Sequence, residues 1–438
     1  MSHHTGESEH DEEDIQPANE DDIIYLDDEE LEAMDQDEEE DDFQTINESE
    51  LGDGAGYQEG QILAHEIVPD DSVVKFAGEH KDSVFSIAAV PREPFNTFIS
   101  GDCDDKAIVW RVVKEEAAEE HKEEAPQAGF KSVLYKHLPG HTETVEFIKF
   151  NHDGKFFATA GMNNQIRVWN SDTFDLKCAL EDGPSEDLNF LEWHPKGNVL
   201  ITGGKDKLVW MFNGQNGQFI NCLQGHMGEI YSGQFSQIDG GKHILTSSGD
   251  KTIRLWAPAK NQCLQVIKSK QGTLFHDAEI NVFGQHHERP LVISGDLQGK
   301  VYYSHYQTGE VGGLLGDHVD SVEAIAFSRS HPICVSAGID PKLNIYDLTR
   351  TELRSKIEPS EYGGYSRIQF MHNQPHLLLA ASTLGDLQVI DVRDGKTVRT
   401  FKGNTGTINE MCEVSALQVV VTAGDDRDCR VFDLRGLQ

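Results

Sequence analysis

The chain has no positive residue in its first 74 positions. Lys75 is the first lysine or arginine, while residues 1–71 hold 28 of the 76 aspartates and glutamates. Phosphate backbones and anionic membrane surfaces are repelled by such a segment, so direct nucleic-acid or membrane binding is not expected. A cysteine framework is also missing. The seven cysteines (103, 178, 222, 263, 334, 412 and 429) are scattered, odd in number and without a CxxC pair. That excludes a disulfide scaffold and a zinc ribbon and points to a reducing compartment. No apolar run reaches the ~18 residues that span a bilayer, and the N-terminus shows no basic-then-apolar leader. A cytoplasmic protein is expected. GxxxxGK[ST], HExxH and GxSxG signatures are absent, and the pairs His3-His4 and His286-His287 lack partners at zinc-ligand spacing. No enzyme is expected, and no catalytic residue, cofactor or metal.

What is present is acid and glycine. The net charge is −39, and outside the first 71 residues 48 acids face 37 bases, so the remainder is only mildly acidic. Residues 1–71 are Asp, Glu, Ser, Gly and Gln with few apolar side chains. Such a segment cannot bury enough surface to offset its ordering entropy, so a disordered acidic tail over 1–71 is predicted, followed by a folded domain over 72–438. The tail reads as a solvating segment, or as a flexible polyanion that competes with RNA for basic segments of a partner. Basic proteins are the favoured partners, drawn in by long-range steering that salt weakens. The 40 glycines, spread along the chain, suit many short strands joined by tight turns.

From residue 72 onward the chain repeats itself. The clearest unit runs Gly225-His226, Ile230-Tyr231, Phe235, Leu245-Thr246 and then Asp250-Lys251-Thr252-Ile253-Arg254-Leu255-Trp256. It resembles the WD-repeat family. Seven more copies close at Trp110, Trp169, Phe212, Ser304, Tyr346, Ile390 and Phe432, at intervals of 42–48 residues after a first one of 59. An all-β, eight-bladed WD-repeat β-propeller is predicted. Val145–Phe150 alternates toward a buried face, Phe156–Thr159 is a short buried run, and Gln165–Trp169 alternates again, as successive strands should. The long first interval is an insert over roughly Val113–Gln127, expected as a solvated loop or short helix, with Ser132–Tyr135 supplying the outer strand of blade 1. Only six residues follow Phe432, so the eighth blade lacks its outer strand. Residues Ser72–Phe76 belong to no blade of their own and are expected to complete the eighth and close the ring, removing an exposed sheet edge.

His226, Thr246 and Asp250 invite a hydrolase reading. Resemblance to WD repeats implies instead that the His bonds the tight-turn Asp while the hydroxyl and the Trp256 indole complete a buried network. The set recurs as His80, Ser100, Asp104 and Trp110; as His141, Thr159 and Trp169, with Asn163 for the Asp; as His318, Ser336, Asp340 and Tyr346; and as Thr422 and Asp426 without a His. A device repeated around a ring reads as structural, since one active site needs one copy.

By the same resemblance, partners bind one flat face, the top. The residue after the first core residue of each inner strand, the residue two before it, and the one preceding the tight-turn Asp should all lie there. These positions collect Glu146, Asp187, Glu229, Glu279, Glu323 and Asp425, with Phe85, Tyr231 and Met162, against one base, Lys205. Exposed ion pairs contribute ~0.2–1 kcal/mol each, so six reach at most about 6, whereas nanomolar binding needs about 12. Tyr231 and Phe85 are therefore expected to matter as anchors alongside the carboxylates.

A narrower resemblance is carried by Asp82-Ser83-Val84-Phe85 with Ser100-Gly101-Asp102-Cys103-Asp104-Asp105-Lys106-Ala107-Ile108-Val109-Trp110-Arg111, and by Glu186-Asp187-Leu188-Asn189-Phe190-Leu191-Glu192-Trp193-His194-Pro195. These segments are similar to the family joining the fungal SQT-type ribosome-assembly protein and the animal angio-associated migratory cell protein. That resemblance implies a dedicated chaperone holding the basic N-terminus of a newly made large-subunit ribosomal protein, the eukaryotic "L ten", for 60S assembly; a monomer is expected. A signalling or cell-migration scaffold and a histone-type chaperone stay open as alternatives.

Overall fold

The computed structural model describes residues 69–114, 130–180, 183–358 and 363–437. Residues 1–68 of the expected disordered tail and the body of the blade 1 insert lie outside these residues. Period-2 alternation of β-branched and aromatic residues dominates what is described, and it forms eight antiparallel four-stranded sheets with no α-helix among the described residues. In blades 1 to 7 strands a to d run in chain order from the centre outward. In blade 4 they are Ile230–Phe235, Ile244–Ser248, Ile253–Ala257 and Gln262–Ile267. Inner strands of neighbouring blades touch around the whole circle, the last (Ile408–Val414) meeting the first (Val84–Ala89), so the ring is closed.

Alternation assigns successive residues of a strand to different neighbours. In strand c of blade 2, Val168 packs in the layer toward blade 3, whereas Trp169 packs toward blade 1. The core is thus eight apolar layers, each between two adjacent blades.

The seam is closed as expected. Val74–Phe76 pairs with Cys429–Asp433, Val74 opposite Val431, and serves as the outer strand of blade 8. Phe76 is fully buried and stacks on Trp110 of blade 1, with ring centroids 5.4 Å apart. The anchorage starts earlier than Ser72. Asp71 N–H donates to Lys402 O at 2.9 Å, Lys402 N–H donates back to the Asp71 carboxylate at 2.9 Å, and Asp70 lies 3.5 Å from the Arg430 guanidinium. In blade 1, strand c continues through Val113 to Lys114 and strand d spans Phe130–Leu138, because the two long strands pair along their full length up to Lys114 opposite Phe130. The insert therefore starts after Lys114, not at Val113.

Candidate functional site: the top face of the ring

Buried His networks set the loops of this face. In blade 4, His226 Nδ1 lies 2.8 Å from Asp250, Nε2 lies 2.7 Å from Thr246 Oγ1, and the Trp256 indole N–H donates to the same oxygen at 2.8 Å. If Nδ1–H donates to the carboxylate, Nε2 can accept from the hydroxyl, and every group is satisfied. Burial holds His226 and His318 below the usual imidazole range, while their Asp250 and Asp340 partners pull the other way. The hydroxyls of Ser100, Thr246, Ser294 and Ser336 belong to residues with 0% exposure. A nucleophile must meet its substrate, so this Ser/Thr-His-Asp set is a fastener.

Two network expectations change. His80 pairs with Asp102 at 2.5 Å, not with Asp104; Asp104 is exposed and pairs with Lys106 at 2.6 Å. Asp102 ends strand b, and its other oxygen accepts the N–H groups of Asp104 and Lys106, so it fills the place beside His80. Blade 5 uses the same two-residue spacing: His276 lies 2.7 Å from Asp296 and 2.8 Å from Ser294, a network that sequence reasoning missed because Phe275 replaces the glycine and Ser304 the closing aromatic. In blade 2, Asn163 donates to Thr142 instead, leaving buried His141 Nδ1 without a partner; burial, then Arg167, lowers that imidazole to about 4.

The three classes of top-face position are joined by one main-chain bond in every blade. The N–H of the residue before the tight-turn position donates to the carbonyl two residues before the inner-strand position. These are Cys103 to Ser83 (3.0 Å), Met162 to Thr144 (3.0 Å), Lys205 to Asp187 (3.1 Å), Gly249 to Glu229 (2.8 Å), Leu297 to Glu279 (3.1 Å), Ile339 to Ser321 (3.1 Å), Thr383 to Gly364 (2.9 Å) and Asp425 to Thr407 (3.0 Å). Close approach explains the glycines ending strand b: a Cβ on Gly338 would lie 2.5 Å from Ser321 O, and one on Gly424 2.6 Å from Thr407 O.

Of the eight residues singled out from sequence, Asp187, Glu229, Glu279 and Asp425 take part in these bonds, and Phe85, Glu146, Tyr231 and Glu323 each lie two residues after an acceptor carbonyl. Asp425 is exposed and the other seven are half-buried. Contacts run from blade to blade. Asn189 donates to Glu229 at 2.8 Å, the Tyr231 hydroxyl donates to Glu279, and Asn281 donates to Val322 O at 3.0 Å and faces Glu323 at 3.5 Å. Burial, then the Glu279 carboxylate, raises the Tyr231 phenol, and burial lifts Glu146 to about 6 against the pull of Arg367. Asp187 is neutralised locally by Lys205 at 2.6 Å. Arg367, 3.7 Å from Glu410, is a further base on the inner strand of blade 7, missed from sequence.

The face also carries exposed apolar side chains that sequence reasoning passed over: Met227 and Val319, both 78% exposed, and Leu384 at 61%. The turn carboxylates capture the backbone N–H of Met227 (3.0 Å) and Val319 (2.9 Å), and their side chains stand in solvent. The readable signal was an apolar residue directly after a repeat's His. Acid plus exposed apolar surface fits a segment with cationic and apolar residues.

Comparison with known proteins agrees with this architecture. The WD domain, G-beta repeat, matches residues 132–170, 177–213, 217–257 and 395–433. Angio-associated migratory cell protein of Homo sapiens is 28% identical over 392 residues, covering 86% of this chain and 82% of that protein; the Canis lupus familiaris protein is 27% identical over 412 residues, covering 89% and 87%. Among solved structures, Chaetomium thermophilum Sqt1 bound to the N-terminus of the ribosomal protein L10 superposes with a TM-score of 0.70 at 20% identity, over 83% of this chain and 100% of that one. Saccharomyces cerevisiae Sqt1 gives 0.70 at 20%, over 83% and 98%. Repeats, ring and relatives agree on a WD-repeat β-propeller that is similar in sequence to angio-associated migratory cell protein and in fold to Sqt1.

Proposed function

We propose that the protein is a non-enzymatic chaperone that holds the basic N-terminal segment of a newly made large-subunit ribosomal protein on its top face and hands it over for 60S assembly, as a monomer in the cytoplasm. The observation that carries this reading is the joint presence on one face of Glu229, Glu279, Glu323 and Asp425 with the exposed Met227, Val319 and Leu384. An unassembled ribosomal protein exposes Lys and Arg segments that bind RNA nonspecifically. Carboxylates at the ring's mouth would screen them, and the apolar arc would supply the burial that charge alone lacks. That Sqt1 has been seen with the L10 N-terminus supports the choice of client. The test is calorimetric titration with the N-terminal peptide of the cognate L10-type protein and a version with every Lys and Arg changed to Gln. Tight, salt-weakened binding of the first and none of the second is expected; equal binding of both would end the reading. The acidic tail, residues 1–71, is assigned the auxiliary role of keeping RNA away from the client.

A further inference from the structure

We propose that the opposite mouth of the channel is a second binding site, for a peptide segment carrying a single carboxylate among apolar residues. There, the ends of the inner strands of blades 4 to 7 and the a–b loops after them enclose a cavity of about 290 Å3, at the small end of ligand pockets. In a chain with 76 acids, none of its lining residues is Asp or Glu. Its cation is Arg329, exposed on the blade 6 loop, whose guanidinium has no ion pair or hydrogen bond among the described residues. One wall is made of fixed amides. Gln285 donates to Gln234 at 3.1 Å and to Phe235 O at 2.7 Å, and Gln234 donates to Phe283 O at 3.3 Å. The other wall is apolar, with half-buried Ile325, Phe327, Ile368 and Pro375. His372 is held by Glu413 at 2.9 Å, and His287 stacks on His286, so Arg329 is the free charge.

A guanidinium above a pocket that lacks carboxylates selects a planar oxyanion. The surroundings decide which kind. A polyanion gains by meeting bases in series, and its long-range repulsion from a protein of charge −39 would outweigh one arginine. A peptide of low net charge escapes that repulsion, places its apolar side chains on the Ile325–Phe327 wall and offers its carboxylate to Arg329. The ring then holds two partners on opposite faces.

The experiment measures fluorescence anisotropy of a dye-labelled apolar hexapeptide with one central aspartate, and of its asparagine counterpart, on the full chain. The aspartate peptide should bind about tenfold more tightly than its counterpart, close to 1.4 kcal/mol. Arg329→Glu and Arg329→Gln should erase the difference while still binding the basic L10-type peptide. Glu279→Lys/Glu323→Lys should leave the aspartate peptide unaffected. Equal affinity of the parent for the two peptides, a preference for the aspartate peptide that survives Arg329→Glu, or loss in the top-face variant would overturn the site. Displacement of the peptide by inorganic phosphate or by an oligouridylate at comparable concentration would overturn its assignment to peptides.

Discussion

Removing charge from Glu279 and Glu323 without removing their oxygens separates electrostatics from architecture. In Glu279→Gln/Glu323→Gln the side-chain carbonyls still accept from the Tyr231 hydroxyl and from Ser321 Oγ, which lies 2.6 Å from Glu323, so the fold should be unaffected. Each lost ion pair weakens binding of a cationic peptide by ~0.2–1 kcal/mol, together about twofold to thirtyfold. Reversal to Lys adds repulsion of similar size and should weaken binding by up to roughly a thousandfold. Glu279→Lys also deprives Tyr231 of its acceptor, worth ~0.5–1.5 kcal/mol, a fall in Tm of a few degrees. Calorimetric titration at two ionic strengths, with thermal unfolding in parallel, reads all of this. The Gln variant should show a flatter salt dependence than the parent. An unchanged affinity in the Lys variant, or a loss matched by collapse of Tm, would refute the acidic face as the client site.

Three further outcomes test other parts of the structure. Asp102→Ala should lower stability by ~2–4 kcal/mol in urea, since it strands buried His80 Nδ1 and two turn N–H groups, whereas Asp104→Ala should leave the urea midpoint unchanged. Burial in the channel wall lifts Glu192 to about 7, with Lys149 pulling it down. Its neutral form is the one the fold favours, so stability falls as pH rises from the unfolded value near ~4.5 to the folded one. Glu192→Gln should therefore gain about 1–2 kcal/mol above that window, after discounting for partial exposure, and nothing below it; an equal gain at both ends would contradict the placement. Deleting residues 1–68 should leave cooperative unfolding unchanged, but extending the deletion to 71 should lower stability by about 1 kcal/mol through loss of the Asp70 and Asp71 bonds.

Much of the ring could be read in advance because its spacing is rigid. One hydroxyl, one turn and one closing side chain recur at fixed offsets, and the surplus strand before Gly78 had only the eighth blade to join. The top-face positions were readable for the same reason, since alternation places Tyr231 and Glu323 on the mouth once Ile230 and Val322 are in the core. Sequence failed where two carboxylates stood within reach of one histidine. Asp104 holds the usual offset from Ser100, but Asp102 is nearer along strand b, and only packing chooses between them. It failed again at His276, whose blade replaces both flanking landmarks. The apolar arc was overlooked because Met227 and Val319 look like core residues by type; the carboxylates that grip their backbone turn them outward.

The eight bonds that tie strand b to strand a at the mouth use only peptide groups. Cys, Met, Lys, Gly, Leu, Ile, Thr and Asp all serve as donor residue around the same circle. Recognition can therefore be rewritten there by substitution with little consequence for the frame, as lettering can be changed on a dial whose hub stays put. Specificity for a client then lies in which side chains are displayed, and it can drift between relatives while the toroid beneath them endures.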